Sequence, residues 1–129
     1  KYGFIFDPWG TRIELVEDSD ALGFHHIHLS STDPGATLQW YQDRFGGEPA
    51  SLRGQIDGLR MGDIWLLAMQ HDGGVPAATA GRAIDHIAFA VANLDPVAGE
   101  LERANVQFLE QPLEVRSGSI ASPHRPARR

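Results

Sequence analysis

The sequence predicts an α+β fold built from two copies of one strand–helix unit. Three observations carry this. Residues 24–31 read FHHIHLSS and residues 84–91 read IDHIAFAV, each an alternating run with a histidine at its third position, His26 and His86. Each run leads to an Asp-Pro pair, Asp33-Pro34 and Asp95-Pro96, and then to apolar residues at helical spacing. Residues 24–70 hold enough further strand-like segments to complete one β-α-β-β-β unit.

Composition narrows the class. At 129 residues the chain is one domain, or a pseudo-symmetric pair of small modules. Its hydrophobic content of 42% supports a core rather than disorder. A net charge of -6 argues against a nucleic-acid partner, because phosphate binding needs a basic face. No apolar run is long enough to span a membrane. Cysteine is absent, which excludes disulfides and thiolate chemistry and fits a cytoplasmic protein. Histidine is the chemically active residue that remains: His25, His26, His28, His71, His86 and His124.

In chain order, residues 3–6 form a short apolar strand and Asp7-Pro8-Trp9-Gly10 a turn, with Pro fixing φ and Gly admitting a positive one. Thr11 to Glu17 alternates, so Ile13 and Leu15 share one face and Arg12, Glu14 and Val16 the other. Residues 1–18 are thus a hairpin with no helix of its own. Residues 24–30 form the next strand, with Ile27 and Leu29 on one face and Phe24, His26, His28 and Ser30 on the other. Ser31-Thr32-Asp33-Pro34 starts a helix with a capping side chain and a first-turn proline. Leu38, Tyr41 and Phe45 make its apolar stripe, and Gly46-Gly47 ends it. Strands follow over 49–54, 55–61 and 64–70, with Asp57-Gly58 and Gly62-Asp63 as turn signals. The first module therefore covers 24–70.

Residues 71–82 are a linker rich in Gly, Ala and Pro. The second unit, 83–116, repeats the strand. Leu94, Val97, Leu101 and Ala104 mark its helix. Val106 to Leu109 adds a strand, and Glu114-Val115 starts another. The pattern then fails, and 117–129 reads as a disordered basic tail. The second unit thus lacks its closing strand.

Three stretches, HHIHLSSTDPGATLQWYQDRFGG, IDHIAFAVANLDPVAGELERANVQF and DPWGTRIELVE, resemble the vicinal oxygen chelate superfamily of glyoxalases, bleomycin-resistance proteins and extradiol dioxygenases. The resemblance implies paired βαβββ modules in an open half-barrel around one divalent metal. It carries metal ligation onto His26, His86 and Glu14. The order departs from the family, because the RIEL hairpin precedes the first module instead of closing the second. The chain therefore looks like a piece of a longer multi-module protein. The hairpin is expected to supply the last strand of the second module, in permuted order, within its own chain or in a neighbour. IWLLAMQ also places Leu66 or Leu67 where glyoxalase I has a second glutamate, which points to a two-histidine, one-carboxylate site.

Such a set holds a metal by one face and leaves positions for two substrate oxygens. Fe(II) is favoured, with Mn, Ni or Zn as alternatives. The expected function is a metal-dependent enzyme, dioxygenase-like or a lyase/isomerase, acting on a small molecule. His28, two residues beyond His26 on the same strand face, is the candidate general base. The competing readings are a metal-free, bleomycin-resistance-like binding module and an inactive fragment. His25 carries no role, Glu17 and Asp18 read as solvated, and Trp9, Trp40 and Trp65 read as packing residues. Open sheet edges predict a homodimer.

Overall fold

The computed structural model describes residues 1–109. These residues form an α+β fold with an open, mixed sheet of four strands, a separate two-stranded hairpin and two helices. The expected strand at Glu114-Val115, the tail over 117–129 and His124 lie outside the described residues. The chain divides into two compact units between Ala90 and Val91.

The first unit opens with strands β1 (Tyr2–Phe6) and β2 (Arg12–Val16), antiparallel with Phe4 opposite Glu14. Asp7 makes the reversal. Its carboxylate accepts from the backbone N–H groups of Trp9 and Thr11, both at 2.8 Å, and Gly10 takes a φ of 94°. Trp9 at the tip is 82% exposed, so it is not the packing residue expected: a turn residue has no sheet face to cover it.

Strand β3 (His26–Ser31), helix α1 (Pro34–Phe45) and strands β4 (Glu48–Leu52), β5 (Ile56–Met61) and β6 (Ile64–Gln70) follow the β-α-β-β-β order expected of 24–70. The strand order is β3-β6-β5-β4, parallel between β3 and β6 and antiparallel elsewhere. Asp33 caps α1, its side chain accepting from Ala36 N–H at 2.9 Å, and Pro34 occupies the first turn. Gly46 stops the helix with a φ of 77° and a bond from its N–H to the Gln42 carbonyl. The core is small. Leu59 and Leu66 face each other across β5 and β6, and Leu67 and Ala68 complete it in this unit.

The β4–β5 reversal falls at Arg53-Gly54, not at Asp57-Gly58. Arg53 and Gly54 have positive φ, 53° and 66°, and with Gln55 they form a three-residue reversal between Leu52 and its partner Ile56. Asp57 and Gly58 lie inside β5.

The second module departs from expectation. Residues 84–91 form no strand. Phe89 instead stacks on Phe45 of α1, with centroids 4.3 Å apart and rings 4° from parallel. Among the described residues the N-terminal hairpin pairs only with itself, so the permuted closure of the second module is not formed there. With no ladder at 84–91, the hairpin has no strand to extend. Ile13 and Leu15, expected to cover a sheet face, are 37% and 58% exposed. The second unit carries helix α2 (Leu94–Arg103), capped by Asn93 through Asp95 N–H, with Ala98 buried. The strand expected over Val106 to Leu109 is absent. Among the described residues no helix is long and apolar enough to cross a membrane.

Candidate metal centre

Two local features bring one carboxylate and two imidazoles together. Alternation along β2 turns Glu14 to the face it shares with Arg12 and Phe4, away from Ile13 and Leu15. The Arg12 guanidinium lies 3.9 Å over the Phe4 ring, which fixes one wall of that face. Strand β3 starts at His26, and its alternation puts His28 on the same face. Backbone pairing anchors the strand: Trp65 N–H donates to the His25 carbonyl at 3.0 Å, and His28 is the register partner of Leu67 on β6.

His26 Nε2 lies 3.2 Å from Glu14 Oε2. The His28 ring meets the His26 ring edge to face with centroids 4.6 Å apart. One ligand atom from each of Glu14, His26 and His28 falls within 4.8 Å of the other two. Two imidazole nitrogens and one carboxylate oxygen at such separations are a donor set that suits a divalent cation. Glu14 and His26 are partly buried and His28 is exposed, so the cluster opens to solvent on the His28 side. Partial burial of its ring, then the charges of His26 and Arg12, lower the pKa of His28, with Glu14 pulling the other way. The shift favours neutral imidazole, the form that ligates a metal or accepts a proton.

His86 stands apart from this cluster. Its side chain is 79% exposed, on a segment without strand structure, and its Nδ1 lies 2.9 Å from Asp85 Oδ1. Of the expected ligands Glu14, His26 and His86, the structure brings together the first two and adds His28. Leu66 and Leu67 are 3% and 0% exposed and belong to the core, so neither position offers a further ligand.

Two residues without an expected role touch the cluster. His25 is buried, and its Nδ1 lies 2.7 Å from His26 Nδ1. Asp18 is not simply solvated: its carboxylate lies 3.5 Å from His25 Nε2 and 3.3 Å from the Arg53 guanidinium. Alternation hides His25, because neighbours within a strand point to opposite faces. His25 precedes the strand, so that rule does not govern it. The His25-His26 doublet at the strand entrance is the signal that marks it.

No curated protein and no solved structure matches the chain. The model of the Glyoxalase/Bleomycin resistance protein/Dioxygenase superfamily matches residues 23–122, a span that holds His26, His28 and His86 but not the hairpin with Glu14. With most of the chain under that match, and a βαβββ module whose first strand carries two of the three clustered residues, the chain belongs to the glyoxalase/bleomycin-resistance/dioxygenase superfamily.

Proposed function

We propose that the protein is a metal-dependent enzyme acting on a small molecule that presents two neighbouring oxygens. The observation that carries this is the approach of Glu14 Oε2 to His26 Nε2 at 3.2 Å, with His28 in the same cluster. Glu14, His26 and His28 would hold the ion, and the two-imidazole, one-carboxylate set favours Fe(II) over Mn, Ni or Zn. A divalent ion bound there supplies Lewis acidity toward the substrate oxygens, suited to ring-cleaving dioxygenase or to lyase/isomerase chemistry. The protein's own groups do the rest. Glu14 contributes the negative charge that balances the cation, and the Arg12–Phe4 stack supports that side of the cleft. The open side at His28 admits the substrate.

A second arrangement has His86 as the third ligand and leaves His28 as the general base. One observation favours it. Asp85 holds His86 Nδ1, the kind of partner that orients a ligating imidazole, and the His86 side chain is exposed. The donor set is the same in both.

The edges at β3 and β4, open among the described residues, and exposed Tyr2, Phe6 and Leu15 on the hairpin support a homodimer. Light scattering that gave a monomer over a wide concentration range would refute that part.

Metal analysis of the full chain purified without chelator tests the main proposal. About one divalent ion per chain supports it, and metal-free protein that takes up none on dialysis against Fe(II), Mn(II) or Zn(II) refutes it in favour of a metal-free binding module. The same measurement on His28→Ala and His86→Ala decides the third ligand, since only loss of the true ligand lowers retention.

A further inference from the structure

We infer that Asp18 and His25 are positioning residues that fix the tautomer and ring orientation of His26, so that its Nε2 lone pair points to the side of Glu14. The inference rests on reading His26 as a metal ligand.

A cation held by Glu14 and His26 would take the lone pair on His26 Nε2. A neutral His26 then carries its single proton on Nδ1. That nitrogen faces His25 Nδ1 at 2.7 Å, a distance only a hydrogen bond accounts for, so His25 Nδ1 accepts. His25 in turn carries its own proton on Nε2. There it meets the Asp18 carboxylate at 3.5 Å, at the outer limit of a hydrogen bond and without full hydrogen-bond geometry. The attraction is Coulombic and tolerates that distance, whereas the opposite tautomer would aim a lone pair at a carboxylate. His25 Nε2 is buried and makes no hydrogen bond among the described residues, so the Asp18 carboxylate is the charge that it faces.

The far end of the chain of contacts is anchored. The Asp20 backbone N–H donates to Asp18 Oδ1 at 3.0 Å, and Arg53 reaches both Asp18 Oδ2, at 3.3 Å, and the Glu17 carbonyl, at 3.1 Å. Those contacts, the Asp20 amide first, hold the Asp18 carboxyl below its ordinary pKa, so it is an anion near neutral pH. Arg53 sits in the β4–β5 turn, where its positive φ turns the chain back. The module's own hairpin thus braces a ligand on its first strand through three side chains. Metal-ligating histidines generally need such an outer partner, and removing one typically costs about 10–100-fold in affinity.

The test uses the full chain, with Co(II) and Zn(II) alone as probes. Wild type, Asp18→Asn and Arg53→Gln are titrated with Co(II) after the metal-free proteins are shown to melt alike. Asp18→Asn is expected to bind about 10–100-fold more weakly, and Arg53→Gln to lose less. Nitrogen-15 NMR of the Zn(II)-loaded wild type reads the tautomers directly: His26 protonated on Nδ1, His25 on Nε2. A merely structural role for Asp18 would not set that pattern. Equal Co(II) affinity in Asp18→Asn, or a proton on His25 Nδ1, overturns the inference while leaving the metal site intact. Wild type that binds neither ion overturns the proposed function and this inference with it.

Discussion

Replacing Gly58 by alanine will destabilise the first unit by about 1–3 kcal/mol, the cost of overpacking a filled core. Gly58 lies in the middle of β5, opposite Leu67 on β6. A Cβ there would stand 2.5 Å from Leu67 Cδ2 and 2.8 Å from the Leu66 carbonyl oxygen, where ordinary contact begins at 3.4 Å. Neither neighbour yields easily. The Leu67 side chain is 0% exposed, so its methyl has no solvent to swing into, and the Leu66 carbonyl is fixed by a strand with partners on both sides. Relief has to come from spreading β5 from β6. Leu67 is also the register partner of His28, so the displacement reaches the Glu14–His26–His28 cluster. For two-state unfolding of a domain this small, each kcal/mol moves the melting temperature by about 4–8 °C. Thermal melting by circular dichroism reads it, with Gly3→Ala as control, since a Cβ at Gly3 meets nothing within 4 Å. A Gly58→Ala protein that melts with wild type would refute the β5–β6 register and the packing of Leu67.

Three further outcomes follow from local physics. Asp33→Ala removes the cap of α1, and urea unfolding should show a loss of about 0.5–2 kcal/mol. Gly99→Ala, inside α2 with nothing within 4 Å of the added carbon, should raise the helicity of the second unit and stabilise that helix by about 0.5–1 kcal/mol, read by far-ultraviolet circular dichroism. The Asp7 carboxyl is held below its usual 3.8 chiefly by the Thr11 backbone N–H, with Trp9 and Gly10 assisting. Its folded value lies below its unfolded one, so its support of the hairpin is complete above about 3.8 and fades as pH falls through the folded value. Amide NMR shifts of Trp9 and Thr11 followed from pH 6 to pH 2 should track that loss, and Asp7→Ala should abolish the step.

The first module was legible because its signals are local. The β3 alternation, the Asp33-Pro34 start and the Gly46 stop each act within a few residues, and all three hold. The Arg53-Gly54 turn escaped because arginine rarely accepts positive φ, and Asp57-Gly58 carried the stronger composition signal. Residues 84–91 repeat the alternating pattern of the β3 stretch but not its structure. Alternation describes a strand's faces, yet a strand exists only with a partner ladder, and Phe89 finds its contact on α1 instead. At the site, alternation puts Glu14 on its strand face and His26 on the same face as His28, whereas the expected third ligand, His86, lies on a segment that forms no strand. Asp18 and His25 depend on a chain reversal that brings Arg53 beside Asp18, and no sequence period encodes that proximity.

Calorimetric titration of the chelator-stripped full chain with Zn(II), beside Glu14→Gln and His26→Ala, tests most directly whether the hairpin and the first module share one metal. The account predicts one ion per chain in wild type. It predicts a loss of at least about 100-fold in affinity in each variant, since each removes a direct ligand and outer-partner losses already reach that size. Unchanged affinity in Glu14→Gln would contradict it, showing that the 3.2 Å approach of Glu14 to His26 is an ordinary ion pair and not half of a metal site.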